Sequence, residues 1–425
     1  MDYYASFFGV SYVFGKYDQI FCPEYKFGAM ENVGLVTYTE HYVFKDTPSY
    51  SKRMRFFITI LHELAHMWFG DYVTMQWWDD LWLNESFATY MSHLALAYAK
   101  GIEPEWQASS WDLFLSEKAW GYAEDQLSTT HSISTDVGDT DVAQSHFDGI
   151  TYAKGSAFLK QLASFIGLAS FEKGVQLYFK RHAWANTVLD DFLTALEDAA
   201  EVPIKEFCNH WLTTSGLNWI EPVLKRNDEG RLVELQVRQG SCPHGDKVLR
   251  KHKIDIALFG PDWKPQILES VLLEPKAEQV IPLAGPEDVR AVFLNVNDHG
   301  FLKVRIDSDS LKELRANLAK VEDKLTRRMV WQALWEMVKD FQMSSIEFLE
   351  LVESNLIAET VDETLLSVLA RTSAILKHYI PSSLQDQYAE RMLDFGLKLL
   401  NHFRDNETIT VLLLDRLIGF FSTEK

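Results

Sequence analysis

The segment HELAH, from His62 to His66, lies inside a strongly apolar run and constrains this chain more than any other feature. The run MRFFITILHELAHMWF has the apolar spacing of a helix, which places His62 and His66 on one helix face. Two imidazoles four residues apart on one face can bind the same metal ion, and zinc is the metal expected for such a pair. Because the neighbours leave almost no water-facing stripe, Glu63 and the two histidines must be paired or bound to a metal.

A catalytic zinc takes three protein ligands and keeps one open position, so a third ligand is needed. The candidate is Glu85 in LWLNESFATYM, at the first turn of a second apolar helix that can pack against the first. A Glu at this position also suits the positive end of a helix dipole. On the residues alone, both roles remain open for Glu85.

The composition indicates a globular chain with a negative surface. Its 41 Lys and Arg against 61 Asp and Glu give a net charge of −20, which repels nucleic acid and anionic membranes. The three cysteines Cys22, Cys208 and Cys242 show neither a disulfide framework nor metal-ligand spacing, as is typical of a reducing compartment. With no apolar run of membrane-spanning length and no signal-peptide pattern, we expect a cytoplasmic chain without a membrane segment.

A chain of 425 residues exceeds one usual core, so two or three units are expected. Residues 1 to about 45, including MDYYASFFGVSYVF, alternate aromatic and β-branched runs with glycines and predict strands. Helical spacing from about 53 to 200 predicts a helical lobe, interrupted by a polar loop at about 127–148 that is long enough to be functional. Short strands between turns predict a small β-sandwich over 218–307, and amphipathic helices follow.

The motif H-E-x-x-H, followed by eighteen residues and the Glu of N-E, resembles the zinc signature of the M1 family of metallo-aminopeptidases, the aminopeptidase N-like gluzincins. The resemblance implies one zinc per chain, held by His62, His66 and Glu85, with Glu63 as the general base that activates a zinc-bound water. It also implies a multidomain α+β fold. A thermolysin-like, mostly helical catalytic domain with an N-terminal sheet would occupy 1–217, a β-sandwich 218–307, and part of a C-terminal α-helical domain 308–425.

The segment GAMEN, from Gly28 to Asn32, is on its own a turn between two strands. In the M1 family it is the exopeptidase motif. The resemblance therefore implies that Glu31 binds the free α-ammonium of the substrate and that Gly28 and Ala29 line the peptide backbone, with Met30 and Asn32 completing this substrate-binding segment. A carboxylate facing an ammonium in a partly desolvated cleft forms a strong charge-assisted contact.

The segment FDGITYAKGSAFL is similar to the family segment that bears a catalytic tyrosine. The matching positions are Phe147, Asp148, Tyr152, Lys154 and Gly155. Taken alone, Tyr152 is a packing residue at the start of a helix. The resemblance implies instead that its phenol donates a hydrogen bond to the oxyanion formed when water attacks the carbonyl.

At both ends the chain departs from the family pattern. Family members carry an N-terminal β-domain that has no counterpart here, and the helical domain stops after IGFFSTEK. The aromatic start, interpreted as an unpaired strand edge, and the apolar run LLLDRLIGFF then predict weak activity and self-association through surfaces exposed by truncation.

The predicted activity is hydrolysis of the N-terminal peptide bond of peptides that have a free N-terminus. One alternative is epoxide hydrolysis, found in a branch of the family that has Gly where Ala29 stands. A second is an inactive M1-like scaffold for protein interactions, which the intact ligands, base and Tyr152 oppose. A third is a remnant without activity.

Overall fold

The computed structural model describes residues 1–284 and 288–418, which form a mixed architecture of helices and small sheets. The α-helices of this part are α1 Asp2–Phe8, α2 Tyr50–His66, α3 Leu81–Tyr98, α4 Pro104–Glu124, α5 Thr140–Ser145, α6 Gly155–Ile166, α7 Leu168–His182, α8 Leu189–Ala200, α9 Lys205–Leu212, α10 Ser308–Asn317, α11 Lys324–Lys339, α12 Ser345–Asn355, α13 Asp362–His378, α14 Ser382–His402 and α15 Glu407–Ile418.

The strands of the described part are β1 Asp18–Cys22, β2 Ala29–Met30, β3 Leu35–Thr39, β4 Thr74–Met75, β5 Asn186–Thr187, β6 Asn218–Arg226, β7 Leu232–Ser241, β8 His252–Phe259, β9 Pro265–Leu273, β10 Glu278–Ile281, β11 Ala291–Val296 and β12 Lys303–Val304. Strands β1 to β3 form a sheet in the order β1-β3-β2, and β4 pairs with β5. Two further sheets have the orders β10-β7-β6-β12 and β11-β8-β9.

The start of the chain is a helix, so the prediction of a strand over MDYYASFF is wrong. Tyr4, Phe7 and Phe8 are buried and recur at helical spacing, and Gly9 ends the helix with a left-handed backbone at φ 68°. The Tyr4 hydroxyl donates to Leu61 O of α2 at 2.9 Å. The aromatic residues therefore pack into the core beneath α2 and do not form an unpaired strand edge. The following residues do form the expected sheet, β1 to β3.

The predicted helical lobe is confirmed, with α2 to α9 spanning Tyr50 to Leu212. Ser49 caps α2 by accepting a hydrogen bond from the amide of Lys52. Helix α3 is buried over nearly its whole length and packs against α2 within one aromatic-rich hydrophobic cluster. These two helices bring the HELAH segment next to the N-terminal turn of α3.

The sheets of β6 to β12 share a hydrophobic core, as the two layers of a sandwich do. Ile220 and Val237 contribute to that core from one sheet, and Ile256 and Phe293 from the other. Buried ion pairs join this part to the helical lobe, because Lys118 of α4 and Lys160 of α6 both contact the carboxylate of Asp298.

Helices α10 to α15 follow as predicted, and the side chain of Asp307 caps α10. The predicted boundary 217/218 lies between α9 and β6, and the predicted boundary 307/308 lies at the Asp307 cap. The division into three domains stays a prediction. The run LLLDRLIGFF continues from α15 into residues outside the described part.

The loop predicted at 127–148 is mostly irregular but contains the short helix α5. Within the described ranges, no helix is both long and apolar enough to cross a membrane. A cytoplasmic location stays a prediction.

Candidate active site

The C-terminal end of α2 and the fifth residue of α3 place three potential metal ligands around one point, so Glu85 lies one turn into α3 and not in its first turn as the sequence predicts. His66 Nε2 lies 3.0 Å from His62 Nε2, and Glu85 Oε2 lies 3.4 Å from His62 Nε2 and 3.5 Å from His66 Nε2. The side chains of His66 and Glu85 are only 1% and 7% exposed, and that of His62 is 16% exposed. The three residues that the sequence predicts as ligands are thus brought together.

The size of this triangle fits a zinc ion. Ligand bonds of about 2.0 Å from a tetrahedral zinc place neighbouring ligand atoms about 3.3 Å apart. The three observed separations of 3.0, 3.4 and 3.5 Å bracket that value. Two imidazole nitrogens and one carboxylate oxygen also form a three-ligand set that leaves the fourth position open.

The opposite ring nitrogens of both histidines have hydrogen-bond partners that orient the rings. His66 Nδ1 donates to Phe69 O at 3.1 Å and to Asn84 Oδ1 at 3.2 Å, and Thr89 Oγ1 lies 3.3 Å from His62 Nδ1. Partners of this kind fix the ring and leave Nε2 for a metal. Sequence reasoning missed Asn84 and Thr89. Their positions, one residue before and one turn after Glu85, are the signal that could have identified them.

The charges of the cluster are strongly coupled. Burial holds the pKa of His62 below its ordinary value. Burial also acts to lower the pKa of His66, but the carboxylates of Glu31 and Glu85 raise it well above its ordinary value. For Glu85, burial acts to raise the pKa, while the charge of His66 and hydrogen bonds from both imidazoles hold it below the ordinary value. Glu85 therefore stays ionised in the site, and a carboxylate is the form that binds a cation.

Glu63 lies next to His62 on α2 and is 5% exposed. Burial raises its pKa to about 8, against the lowering effect of the nearby His66 charge. A buried carboxylate adjacent to a ligand triangle can exchange a proton with a water at the open ligand position.

Tyr152 lies in a single π-helical turn, Ile150–Lys154, immediately before α6. Such turns are rare and are frequent at functional sites. The ring of Tyr152 stacks between the imidazole of His62 at 6.2 Å and the indole of Trp120 at 6.0 Å, measured between ring centroids. Burial raises the pKa of the phenol, and the adjacent carboxylate of Glu85 raises it further. The structure therefore brings Tyr152 to the candidate metal centre, together with Trp120, which sequence reasoning missed.

The other residues of the FDGITYAKG match hold this turn in place. The Ser86 hydroxyl of α3 donates to Thr151 O, and a Cβ on Gly155 would lie 1.9 Å from that Ser86 Oγ. Only glycine allows this approach between α6 and α3. Lys154 forms a fully buried ion pair with Asp125 at 3.0 Å. The pattern Phe147 to Gly155 therefore encodes the placement of Tyr152.

Within residues 1–284 and 288–418, β2 pairs with β3 alone, in the order β1-β3-β2, so the GAMEN segment forms an edge of the first sheet. Glu31 follows β2, its side chain is 15% exposed, and its Oε1 lies 4.0 Å from His66 Nδ1. Ala29 is partly buried, and Gly28, Met30 and Asn32 are exposed. The Asn32 amide donates to Thr37 Oγ1 at 3.2 Å, which ties this side chain to β3.

Residues 1–211 match the peptidase family M1 domain, and residues 291–422 match the ERAP1-like C-terminal domain. Aminopeptidase N of Streptomyces lividans is 40% identical over 365 residues, which cover 84% of this chain and 42% of that protein. Leucyl aminopeptidase of Saccharolobus solfataricus is 31% identical over 325 residues, covering 76% of this chain and 39% of that protein. Glutamyl aminopeptidase of Bos taurus is 41% identical over 217 residues, covering 51% and 22%.

The chain spans less than half the length of these curated relatives. The M1 domain match includes the HELAH helix, Glu85 and the Tyr152 turn. Because the similarity extends over most of the chain to proteins named as aminopeptidases, this chain belongs to peptidase family M1.

Proposed function

We propose that this chain is a zinc-dependent aminopeptidase that hydrolyses the N-terminal peptide bond of peptides. The observation that carries the proposal is the triangle of His62, His66 and Glu85, whose ligand atoms lie 3.0 to 3.5 Å apart beside a buried Glu63. These three residues would hold one zinc. Zinc bound there supplies a Lewis acid that lowers the pKa of water and polarises a carbonyl.

Glu63 is the proposed general base. It takes the proton of the attacking water and returns it to the departing amine, a role that requires a carboxylate within about 3 Å of the water. Its place next to His62, on the buried end of α2, supports this role. The backbone of α2 therefore positions the base and two ligands together.

Tyr152 is the proposed donor to the oxyanion. A phenol in a buried site is a neutral donor, and the raised pKa of Tyr152 keeps it protonated at neutral pH. Stacking against His62 and Trp120 restricts the ring before substrate binds. The hydroxyl can then stabilise developing charge without reorganisation of the side chain.

Glu31 and the free edge of β2 are the proposed substrate-recognition elements. Gly28 and Ala29 would line the backbone of an extended peptide at this edge, because an edge strand presents unpaired backbone groups. The main-chain oxygen of Gly28 already accepts a hydrogen bond from the amide of Thr39, so the pairing groups would come from Ala29. Glu31, at the end of that strand and 4.0 Å from His66, can then bind the α-ammonium. This arrangement would limit cleavage to the first peptide bond, and Met30 and Asn32 would border the same cleft.

Discrimination between free and blocked N-termini tests this function. The chain should cleave a peptide with a free N-terminus and leave its N-acetylated form uncut, because acetylation removes the charge that Glu31 binds. Glu31→Gln should lower kcat/KM on the free peptide roughly 30-fold or more, which corresponds to a loss of about 2 kcal/mol in transition-state stabilisation. The substitution removes the negative charge that would pair with the α-ammonium of the substrate. Cleavage is measured by chromatography of the two peptides.

The matched control is Glu24→Gln, the same substitution at an exposed position in the turn between β1 and β2. It should leave kcat/KM within about twofold, as surface substitutions have small effects. Zinc content should be equal in all three proteins. Equal rates on free and acetylated peptides would contradict the exopeptidase function.

A further inference from the structure

The carboxylate of Asp148 anchors the turn that carries Tyr152. Its Oδ1 accepts hydrogen bonds from the amides of Ile150 at 2.9 Å and Thr151 at 3.0 Å. The amide of Tyr152 donates to the main-chain oxygen of Asp148 at 3.0 Å. One residue therefore binds three consecutive amides at the start of the π-helical turn, so any movement of Asp148 is transmitted to the phenol.

The second carboxylate oxygen of Asp148 is held by a histidine from the preceding polar loop. His131 Nε2 lies 2.8 Å from Asp148 Oδ2, and His131 Nδ1 lies 2.7 Å from Ser132 O. A carboxylate and a carbonyl can only accept hydrogen bonds, so both ring nitrogens donate and the ring is an imidazolium. Burial acts to lower the pKa of His131, but the hydrogen bond to Asp148 raises it above its ordinary value.

The pair of His131 and Asp148 lines an open cavity of about 440 Å³ together with His146, Glu124 and Ile150. The ring of His146 stacks on that of His131 at 4.8 Å, and Lys154 of the turn lies close enough to lower the pKa of His131. Within the part of the chain that the structure describes, neither His131 nor Asp148 forms a hydrogen bond with His62, His66 or Glu85. The pair reaches the metal centre through the Tyr152 turn.

We propose that His131 is a positioning residue for Tyr152. It fixes the Asp148 carboxylate in the rotamer that binds the amides of Ile150 and Thr151, and the turn so held aims the phenol at the metal centre. The inference rests on the proposed function in one respect, the role of Tyr152 as oxyanion donor. It assigns a catalytic purpose to a loop residue that touches neither zinc ligands nor base.

A double-mutant cycle on the zinc-loaded protein tests the inference. Hydrolysis of an aminoacyl arylamide is measured for the starting protein, His131→Ala, Tyr152→Phe and the double variant. His131→Ala should lower kcat by about 10- to 100-fold, since misplacement of a catalytic group by about 1 Å has effects of that size. KM and zinc content should stay unchanged. In the Tyr152→Phe background, His131→Ala should cause no further loss, because the hydroxyl that it positions is gone.

Three further variants test whether the effect is specific to the contact between His131 and Asp148. His131→Gln retains a donor for Asp148 and should keep most of the turnover. Asp148→Asn places an amide donor opposite His131 in place of a carboxylate acceptor. It should lower kcat as His131→Ala does, and it should cause no further loss in the Tyr152→Phe background. This variant therefore keeps the test decisive if the His131→Ala protein folds poorly. The neighbouring His146→Ala, which removes a cavity histidine that is not bonded to Asp148, should change kcat by less than about threefold.

The outcomes separate this inference from the proposed function. A His131→Ala loss of equal size in the Tyr and Phe backgrounds, or a loss of zinc in His131→Ala, would overturn the positioning role. Full turnover by Tyr152→Phe itself would instead contradict the oxyanion role of Tyr152 in the proposed function, and it would remove the basis of the inference as well.

Discussion

Replacement of His66 by Ala should remove zinc from the protein and abolish peptide hydrolysis. His66 is one of the three proposed ligands and is itself held by Phe69 O and Asn84. Its loss leaves two ligands, which do not complete a catalytic zinc site. Zinc affinity should fall by more than about 100-fold, because loss of even an outer partner of a ligand has effects of roughly 10- to 100-fold. Elemental analysis after dialysis measures the zinc.

The matched control is His210→Ala, which makes the same substitution at an exposed position of α9. It should retain about one zinc per chain and full turnover. A His66→Ala protein that kept stoichiometric zinc after dialysis would show that the metal is bound elsewhere and would contradict the ligand assignment.

Replacement of Glu63 by Gln should separate zinc binding from catalysis. The amide has nearly the shape of the carboxylate but cannot accept a proton, so kcat should fall by about 10²- to 10⁴-fold, the usual contribution of a general base. Zinc content should be unchanged, because Glu63 is not a member of the triangle formed by His62, His66 and Glu85. Arylamide hydrolysis and elemental analysis of the same sample measure the two quantities.

Glu206→Gln, at an exposed position of α9, provides the comparison for a carboxylate lost from the surface, and it should leave kcat within about twofold. If Glu63→Gln kept full turnover with zinc bound, another group would have to be the base.

The metal centre was predictable from the sequence because its determinants are local. The i, i+4 spacing within an apolar helix fixes the relative direction of His62 and His66 before any tertiary contact is known. Glu85 needed more information, since a Glu near the start of a helix suits both a ligand and a favourable helix-end charge. The packing of α2 against α3 favours the ligand role, because it brings the carboxylate to 3.4 and 3.5 Å from the two imidazoles.

The first helix was not predicted, for a physical reason. Aromatic residues favour strands in general, and the glycines that follow resemble turn signals. Yet Tyr4, Phe7 and Phe8 are also spaced for one helix face, and the edge-on and tilted contacts of Tyr4 and Phe8 with Trp68 supply tertiary packing that outweighs β-propensity. The aromatic start is therefore core, which removes the strand edge from the expected causes of self-association.

The partners of Tyr152 were not predictable from spacing. Trp120 comes from α4, thirty-two residues before Tyr152, and His131 comes from the loop between them. Their roles depend on where a π-helical turn lies relative to α3 and α4, and on a glycine at 155 that permits contact with Ser86. Such nonlocal contacts leave no periodic signal in the chain.

Hydrolysis of a leucine arylamide by the purified chain should be measured before chelation, after removal of metal, and after addition of zinc. We expect measurable turnover that disappears on chelation and returns in full with about one equivalent of zinc per chain. Turnover that is unchanged in metal-free protein would contradict the claim that His62, His66 and Glu85 form the zinc centre of an aminopeptidase.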